Sequence, residues 1–490
     1  MNTRGDGPLH RMPPMAWLAI TLTGLWFAGD GLASEFRHAG TDAFGRGVDV
    51  LHGEIALRTD QFVSYAGATA ITRQAFPNGF PRSMGSGICL KGEGRQGREF
   101  WVLGDRGPNG DGPEVGGKEA KLFPVPQFTP AFGVVSLANG IASLENLTPI
   151  HGTSGLPGAP GTANGSEEVA LSETLRAIDP DPRGIDPESV ACGNGRLWVS
   201  EEYGPAVLQL DPASGRILAR FTPGNGLPSI FARRRVNRGM EALSYDAEAG
   251  TLVGALQSPI DDGAVAVHGK NVKVKDAAPF IRWVELHPVT RRLREFAYPV
   301  AGSDYQDGQS GNAKLGDIAA LGGGRFVVIE EGRKADGHFA NRLFLVDTAG
   351  ASDIHANSGG DLERSAISGH PVGAADWRTI TPLRKRLLVD LRALGWDVEK
   401  AEGLAMVDER TLALTNDNDY GIQSALFDAA GTRLVAGKVE RCQAAGDGTA
   451  IFGDRCPAGA RAVAIVSLPE IESRQHLWLL RFARPFRAMD

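Results

Sequence analysis

Long apolar runs are scarce in this chain of 490 residues. After residue 33 no stretch approaches the ~20 apolar residues that a bilayer span needs, which excludes a helical membrane bundle. Cysteine is nearly absent: Cys89, Cys192, Cys442 and Cys456 stand too far apart for a CxxC metal knuckle. Basic excess is missing as well. The net charge is −7, a balance that argues against nucleic acid as a partner and suits a cation binder. Helical periodicity is sparse, and its best candidate, Asp376–Leu394, is interrupted by Pro382.

The familiar catalytic signatures are also missing. There is no G-x-S-x-G elbow; the nearest approach, Gly308–Gly311, lies in a polar stretch. No HExxH occurs, which removes the zincin class. Gly112–Glu119 fits GxxxxGK but has Glu119 where a phosphate loop needs Ser or Thr. "NDNDYG" begins like a calcium loop, but Tyr420 breaks the ligand phase and Phe427 replaces the closing Glu.

Residues 1–33 read as a secretory signal peptide: Arg4 and Arg11, an apolar run from Met15 to Gly29, then small residues at Gly31 and Ala33. A periplasmic or secreted location follows, with no stable membrane span after cleavage. In that setting Cys442 and Cys456, which flank a Gly-rich stretch, are expected to form a disulfide. Cys89 and Cys192 are compatible with a bridge, but two buried thiols are the favoured expectation. Beyond residue 33 the chain reads as one domain, 34–490, with a flexible loop insertion at 351–379.

Gly is abundant at 64 residues and Pro adds 29, between short runs rich in Val, Ile, Leu and Phe. That pattern predicts many short strands joined by tight turns. It also repeats. "IDPESVACGNGRLWVSEEYGP", "NRGMEALSYDAEAGTLVGALQSP", "KLGDIAALGGGRFVVIEEG" and "KAEGLAMVDERTLALTNDND" share one grammar. An acid (Glu188, Glu241, Asp317, Glu402) precedes a short strand; a Gly/Asp turn and a stronger strand follow. Each unit ends on polar residues: Glu201-Glu202, Gln257-Ser258, Glu330-Glu331, Asn416-Asp417. A weaker copy at Ser83–Pro113 has Ser86 in the acid position and leaves through Asp105-Arg106.

The acids are 53, 76 and 85 residues apart, uneven spacings that fit four-stranded propeller blades with long loops. An all-β propeller is expected, with six blades. The sixth would come from Thr129–Pro149 or from pairing of the chain ends, where "HLWLLRFARPF" supplies a closing strand. Because the first strand of each blade lines the central channel, acids in register become a carboxylate ring. Such a ring repels itself unless a cation sits within it, and Ca²⁺ accepts many oxygen ligands without strict geometry.

The motifs "LGDRGPNGDGP", "DPESVA…LWVSEEYGP", "NRGMEALSYD…LQSP" and "AEGLAMVDERTLALTNDND" resemble the phytase-like domain of exported bacterial proteins, a family labelled "esterase-like activity of phytase". The resemblance runs from about Ala66 to Phe482. It implies a propeller related to calcium-dependent β-propeller phytases. The metal ligands expected here are Glu188, Glu201, Glu241, Asp317, Glu330, Glu402 and Asp417. Asp105, Arg106, Glu202 and Arg238 are the expected catalytic groups, the two arginines as an anion clamp. Lys118, Lys121, Lys314, Arg333 and Lys400 are further cations beside the motifs. The function expected is a calcium-dependent hydrolase, in monomeric form, of a small anionic ester. Ser86 and Gln257 stand where further acids would be, which leaves open a non-catalytic binding propeller or a lactonase-like one.

Overall fold

The computed structural model describes residues 35–95, 97–434 and 438–489. The expected signal peptide lies outside them. The architecture is all-β. Four antiparallel strands build each of five sheets, which follow one another along the chain. The first contains Gly87–Glu93, Arg98–Leu103, Ala131–Ala138 and Ile141–Pro149. The second contains Pro187–Gly193, Arg196–Glu201, Ala206–Leu210 and Ile217–Pro223. The third runs through Met240–Asp246, Thr251–Leu256, Phe280–Leu286 and Leu293–Pro299. The fourth has Lys314–Gly322, Arg325–Arg333, Phe339–Asp347 and Arg384–Asp390. The fifth has Leu404–Asp408, Thr411–Thr415, His476–Phe482 and, from the other end of the chain, Gly47–Ala56.

The first strand of each sheet neighbours that of the next, and the fifth returns to the first. This is the radial order of a propeller. The strands that start each repeat therefore line a channel, as expected. One end of that channel is a small cavity of about 160 Å³ walled by three residues from each first strand, among them Ile88, Ala191, Ser244, Ala319 and Ala405. The faces of these sheets bury Val, Ile, Leu and Trp in alternation, so adjacent sheets pack through apolar contacts.

Two expectations about closure change. Thr129–Pro149 is not a sixth unit, because its strands complete the first sheet. The chain ends do pair, but within the fifth sheet: Val48 to Glu54 run antiparallel to Phe482 to His476. The same N-terminal strand then pairs in parallel with Ala142 and Ser143 of the first sheet, joining the two sheets at their outer edge.

The insertion at 351–379 is ordered by burial. A helix, Asp361–Ser368, packs Leu362 against Phe280, Ala297 and Ile354. Its Glu363 pairs with the buried Arg282, which also holds Glu295. Asp376–Leu394 is not a helix. It forms a short turn and then the edge strand Arg384–Asp390, since Pro382 lacks the amide that an internal helical turn needs.

Cys442 and Cys456 are bridged, as expected. Cys89 and Cys192 are bridged too, contrary to the favoured pair of thiols. They lie on adjacent first strands with Cα atoms 5.9 Å apart, within bonding reach. Over the opposite channel end sits a cap built from the antiparallel strand pair Ile422–Phe427 and Ala462–Ser467 and from loops at 104–130 and 150–185. Among the described residues no helix is long and apolar enough to cross a membrane.

Candidate active site at the channel mouth

The strand ladders show how side chains are delivered to the capped mouth. At the start of the first strand, the second, third and fourth sheets each carry a β-bulge: between Pro187 and Val190, Met240 and Ala242, Leu315 and Ile318. An extra residue there turns one side chain off the sheet face and toward the channel. Aligning the ladders on these bulges puts Ser86, Glu188, Glu241, Gly316 and Glu402 at one level. Asp105, Glu202, Gln257, Glu331 and Asp417 then share the exit level of the second strands. Two residues before the bulge stand Met84, Asp186, Gly239, Lys314 and Lys400.

These levels frame a cavity of about 480 Å³ whose lining includes Asp105, Glu188, Glu202, Glu241, Glu402 and Asp417. The acids of far-apart repeats therefore meet around one axis. Asp186, Glu188 and Glu202 are the tightest group: one oxygen from each lies within 4.8 Å of the others. Burial pushes Glu188 well above the usual carboxylate range, and the fields of Asp186, Glu241, Glu202 and Glu402 push the same way. Glu241 is raised well above its ordinary value by burial and by Glu202, and Asp105 by burial, Asp417 and Asp186. Glu202 rises to about 7, again chiefly by burial. One oxygen of Glu241 and the side-chain amide oxygen of Gln257 are buried without a hydrogen-bond donor. Buried oxygens without donors, repelling one another, are the donor set that a hard divalent cation satisfies.

The cations of the cavity fall into two kinds. Arg106 is committed to the protein. Its Nη1 is 3.1 Å from Glu168 and 3.2 Å from Asp186, and its Nη2 donates to Asn237 at 2.9 Å. It therefore holds Asp186 in place rather than presenting an open fork. Lys121 is closed by Asp111 at 2.6 Å. Lys400 lies 2.6 Å from Asp417 and 2.8 Å from Asp419. Burial alone would favour a protonated Asp417, yet Lys400 brings it down to about 2. Lys314 faces Glu202, Glu241 and Glu331 electrostatically from the cavity wall. The chain turns sharply beside Lys400: Asp419 and Tyr420 are successive non-glycine residues at φ 47° and 54°. Tyr420 is fixed there by an edge-on contact with Phe128 at 5.6 Å.

Four residues expected at the site lie elsewhere. Glu201 accepts the amides of Asp186, Tyr203 and Gly204, which makes it a brace for the loop behind the site. Glu330 accepts hydroxyl protons from Tyr298 and Tyr305 and pairs with Lys385, between the fourth sheet and its neighbours. Successive strand residues face opposite ways, so only one of each adjacent acid pair reaches the channel. Asp317 is one residue out of register with Glu188, and the ladder equates it with Ser189. Its carboxylate accepts Ser189 Oγ at 2.6 Å and the amides of Ile318, Leu404 and Leu243 at 2.8, 3.1 and 3.2 Å. It ties four first strands together inside the channel. Arg238 donates to the Gly311 carbonyl at 2.8 Å and does not line the cavity. Lys118 and Arg333 are exposed, on Glu167 and the Gly337 carbonyl.

Two buried acids are not among the expected site residues: Asp186, which no repeat position marks, and Glu331, which the sequence marks only as the second half of the Glu330-Glu331 exit. Asp186 is two residues before Glu188, a spacing that puts both on one face of an extended chain. Glu331 is buried beside Lys314 and rises to about 7, mainly through burial. Its signal, adjacency to Glu330, does not say which of the two turns inward.

Fold and site together define a propeller-type protein with a carboxylate-rich, capped channel mouth. The chain belongs to the family described as "Phytase-like: Esterase-like activity of phytase", whose model matches residues 86–420. No curated protein matches it significantly. Solved structures that resemble it include hydrazine synthase from Kuenenia stuttgartiensis, 9% identical with a TM-score of 0.32, covering 70% of this chain and 94% of that one. An α-L-arabinofuranosidase from Podospora anserina is 8% identical with a TM-score of 0.33, covering 89% and 97%. A PQQ-bound aldose sugar dehydrogenase from Streptomyces coelicolor is 11% identical with a TM-score of 0.27, covering 82% and 95%.

Proposed function

We propose that the protein is an exported, calcium-dependent hydrolase of small anionic esters, working at the capped mouth of the channel. The observation that carries this reading is the Asp186, Glu188 and Glu202 group, whose oxygens approach within 4.8 Å, with Glu188 and Glu202 lining a cavity large enough for a small molecule. These three residues would hold the ion, with Glu241 and Gln257 offering further oxygens. When bound, it neutralises charge building on the ester and makes a coordinated water more acidic.

The chain supplies the rest. Lys314, on the cavity wall, draws in an anionic substrate. Arg106 fixes Asp186, and Asn237 fixes Arg106. Asp105, whose carboxyl is pushed toward its protonated form by burial and by the charges of Asp417 and Asp186, is the group that can give a proton to the leaving alkoxide. Ile422 and Leu468 of the cap add apolar lining to the cavity. Two disulfides fit an oxidising compartment, the periplasm or outside the cell.

The test is hydrolysis of p-nitrophenyl phosphate, p-nitrophenyl acetate and a lactone panel, with and without a chelator. Loss of one activity on chelation and its return with Ca²⁺ is expected. An activity that chelation leaves unchanged overturns the metal mechanism. A second reading is a binding propeller without catalysis. It is favoured by neutral Ser86 and Gln257 at ring positions, and calcium-dependent stability with no turnover of any substrate would select it.

A further inference from the structure

The second and fifth sheets present the same three positions with opposite chemistry. Ladder alignment equates Asp186, Glu188 and Glu202 with Lys400, Glu402 and Asp417. The flanking position agrees: Glu201 and its counterpart Asn416 both turn away and brace backbone, Asn416 by accepting the His476 amide at 2.6 Å. In the second sheet, the three carboxylates have no ammonium among them; the Arg106 guanidinium touches Asp186 alone, at 3.2 Å, from a position it shares with Glu168 and Asn237. In the fifth, the Lys400 ammonium lies 2.6 Å from Asp417, 2.8 Å from Asp419 and 3.7 Å from Glu402. Two carboxylates thus hydrogen-bond one cationic nitrogen, and a third lies within ion-pair range. Its side chain is mostly shielded, at 29% exposure, and burial opposes its charge while Asp417, Asp419 and Glu402 sustain it.

We infer that Lys400 is a built-in counter-ion: its ammonium occupies a cation position of the carboxylate ring, leaving the Asp186–Glu188–Glu202 side for a single dissolved divalent ion. The inference rests on the proposed metal site but concerns how many ions the ring accepts. A divalent ion at both places would need the lysine removed. With Lys400 shortened, Glu402, Asp417 and Asp419 have lost their cation and keep the geometry to hold another.

Metal content separates the possibilities. The full chain is dialysed against buffered Ca²⁺ and its bound calcium counted by mass spectrometry, with calorimetric titration of the same samples. The expected result is one ion per wild-type chain and two per Lys400→Ala chain. Lys400→Gln, whose amide oxygen can itself ligate calcium, is the alternative if the alanine variant does not accumulate, and it too should gain one ion. Two ions in the wild type, or no gain in the variant that folds, overturns the inference. If the wild type binds none, the proposed metal mechanism fails, yet a gain of one ion in the variant still upholds the role of Lys400. No binding in either overturns both.

Discussion

At the scale of single residues, two channel acids that look alike in sequence, the buried Asp317 and the half-buried Glu188, do opposite work. Asp317 is fully used by the protein, accepting a hydroxyl and three amides from four first strands. Replacing it with Ala leaves those donors buried and unmatched, each costing ~1–3 kcal/mol. Asp317→Ala should therefore lower unfolding free energy by about 3–5 kcal/mol, a loss that calcium does not repair; denaturant melts with and without Ca²⁺ check this. Glu188 has no donor among the described residues and is repelled from several sides. Glu188→Gln removes that repulsion, so the metal-free protein should become more stable by about 1 kcal/mol and lose its calcium-induced rise in melting temperature. A destabilised metal-free Glu188→Gln protein would contradict the placement of this carboxylate in a strained ring. Nothing in the motif "[acid]–apolar strand" distinguishes the two roles. Which of the two bulge residues carries the acid decides them, Glu188 the first and Asp317 the second, and the bulge leaves no mark in composition.

At the scale of elements, strands were legible and their partners less so. The short runs around Ala242–Tyr245 and Thr411–Thr415 report strands directly, and both appear within a residue or two of the expected bounds. Which sheet a strand joins is a long-range choice: Thr129–Pro149 carries the same local signal whether it starts a new unit or completes the first. The Cys89–Cys192 pairing was hidden for the same reason, since the two residues are 103 positions apart and meet because adjacent sheets place them side by side. In the chain-entropy model, closing a loop of that length contributes ~4–5 kcal/mol, against ~3 kcal/mol for the 14-residue Cys442–Cys456 loop. The double variant Cys89→Ala/Cys192→Ala should thus lower the denaturant midpoint of the whole propeller. The pair Cys442→Ala/Cys456→Ala should act mainly on the cap, seen as local proteolysis near 442–456. Equal global losses from both pairs would show that cap and propeller unfold as one unit.

For the whole molecule, the acid ring links stability, pH and cation binding. Asp105, Glu188, Glu241 and Glu402 are raised well above ordinary carboxylates, Glu202, Glu331 and Asp317 to about 7, and Glu201 to about 8, in each case chiefly by burial. Between the ordinary values near 4 and these raised ones, the folded chain holds more protons than the unfolded chain. Stability contributed by the protonated ring is complete below that window and is lost as pH rises through it. Asp417 acts in the other direction, but its window, between 3.8 and about 2, lies below the range of interest. In a chelator, the melting temperature should therefore fall from pH 5.5 to pH 8. Calcium requires deprotonated ligands, so it should add little at pH 5.5 and most at pH 8, where it replaces the protons that the ring has given up. Thermal melts at the two pH values, each with chelator and with Ca²⁺, give four numbers. A melting temperature that rises with pH in chelator, or a calcium shift equal at both pH values, would mean that the carboxylates at the mouth are balanced within the protein and need no dissolved cation.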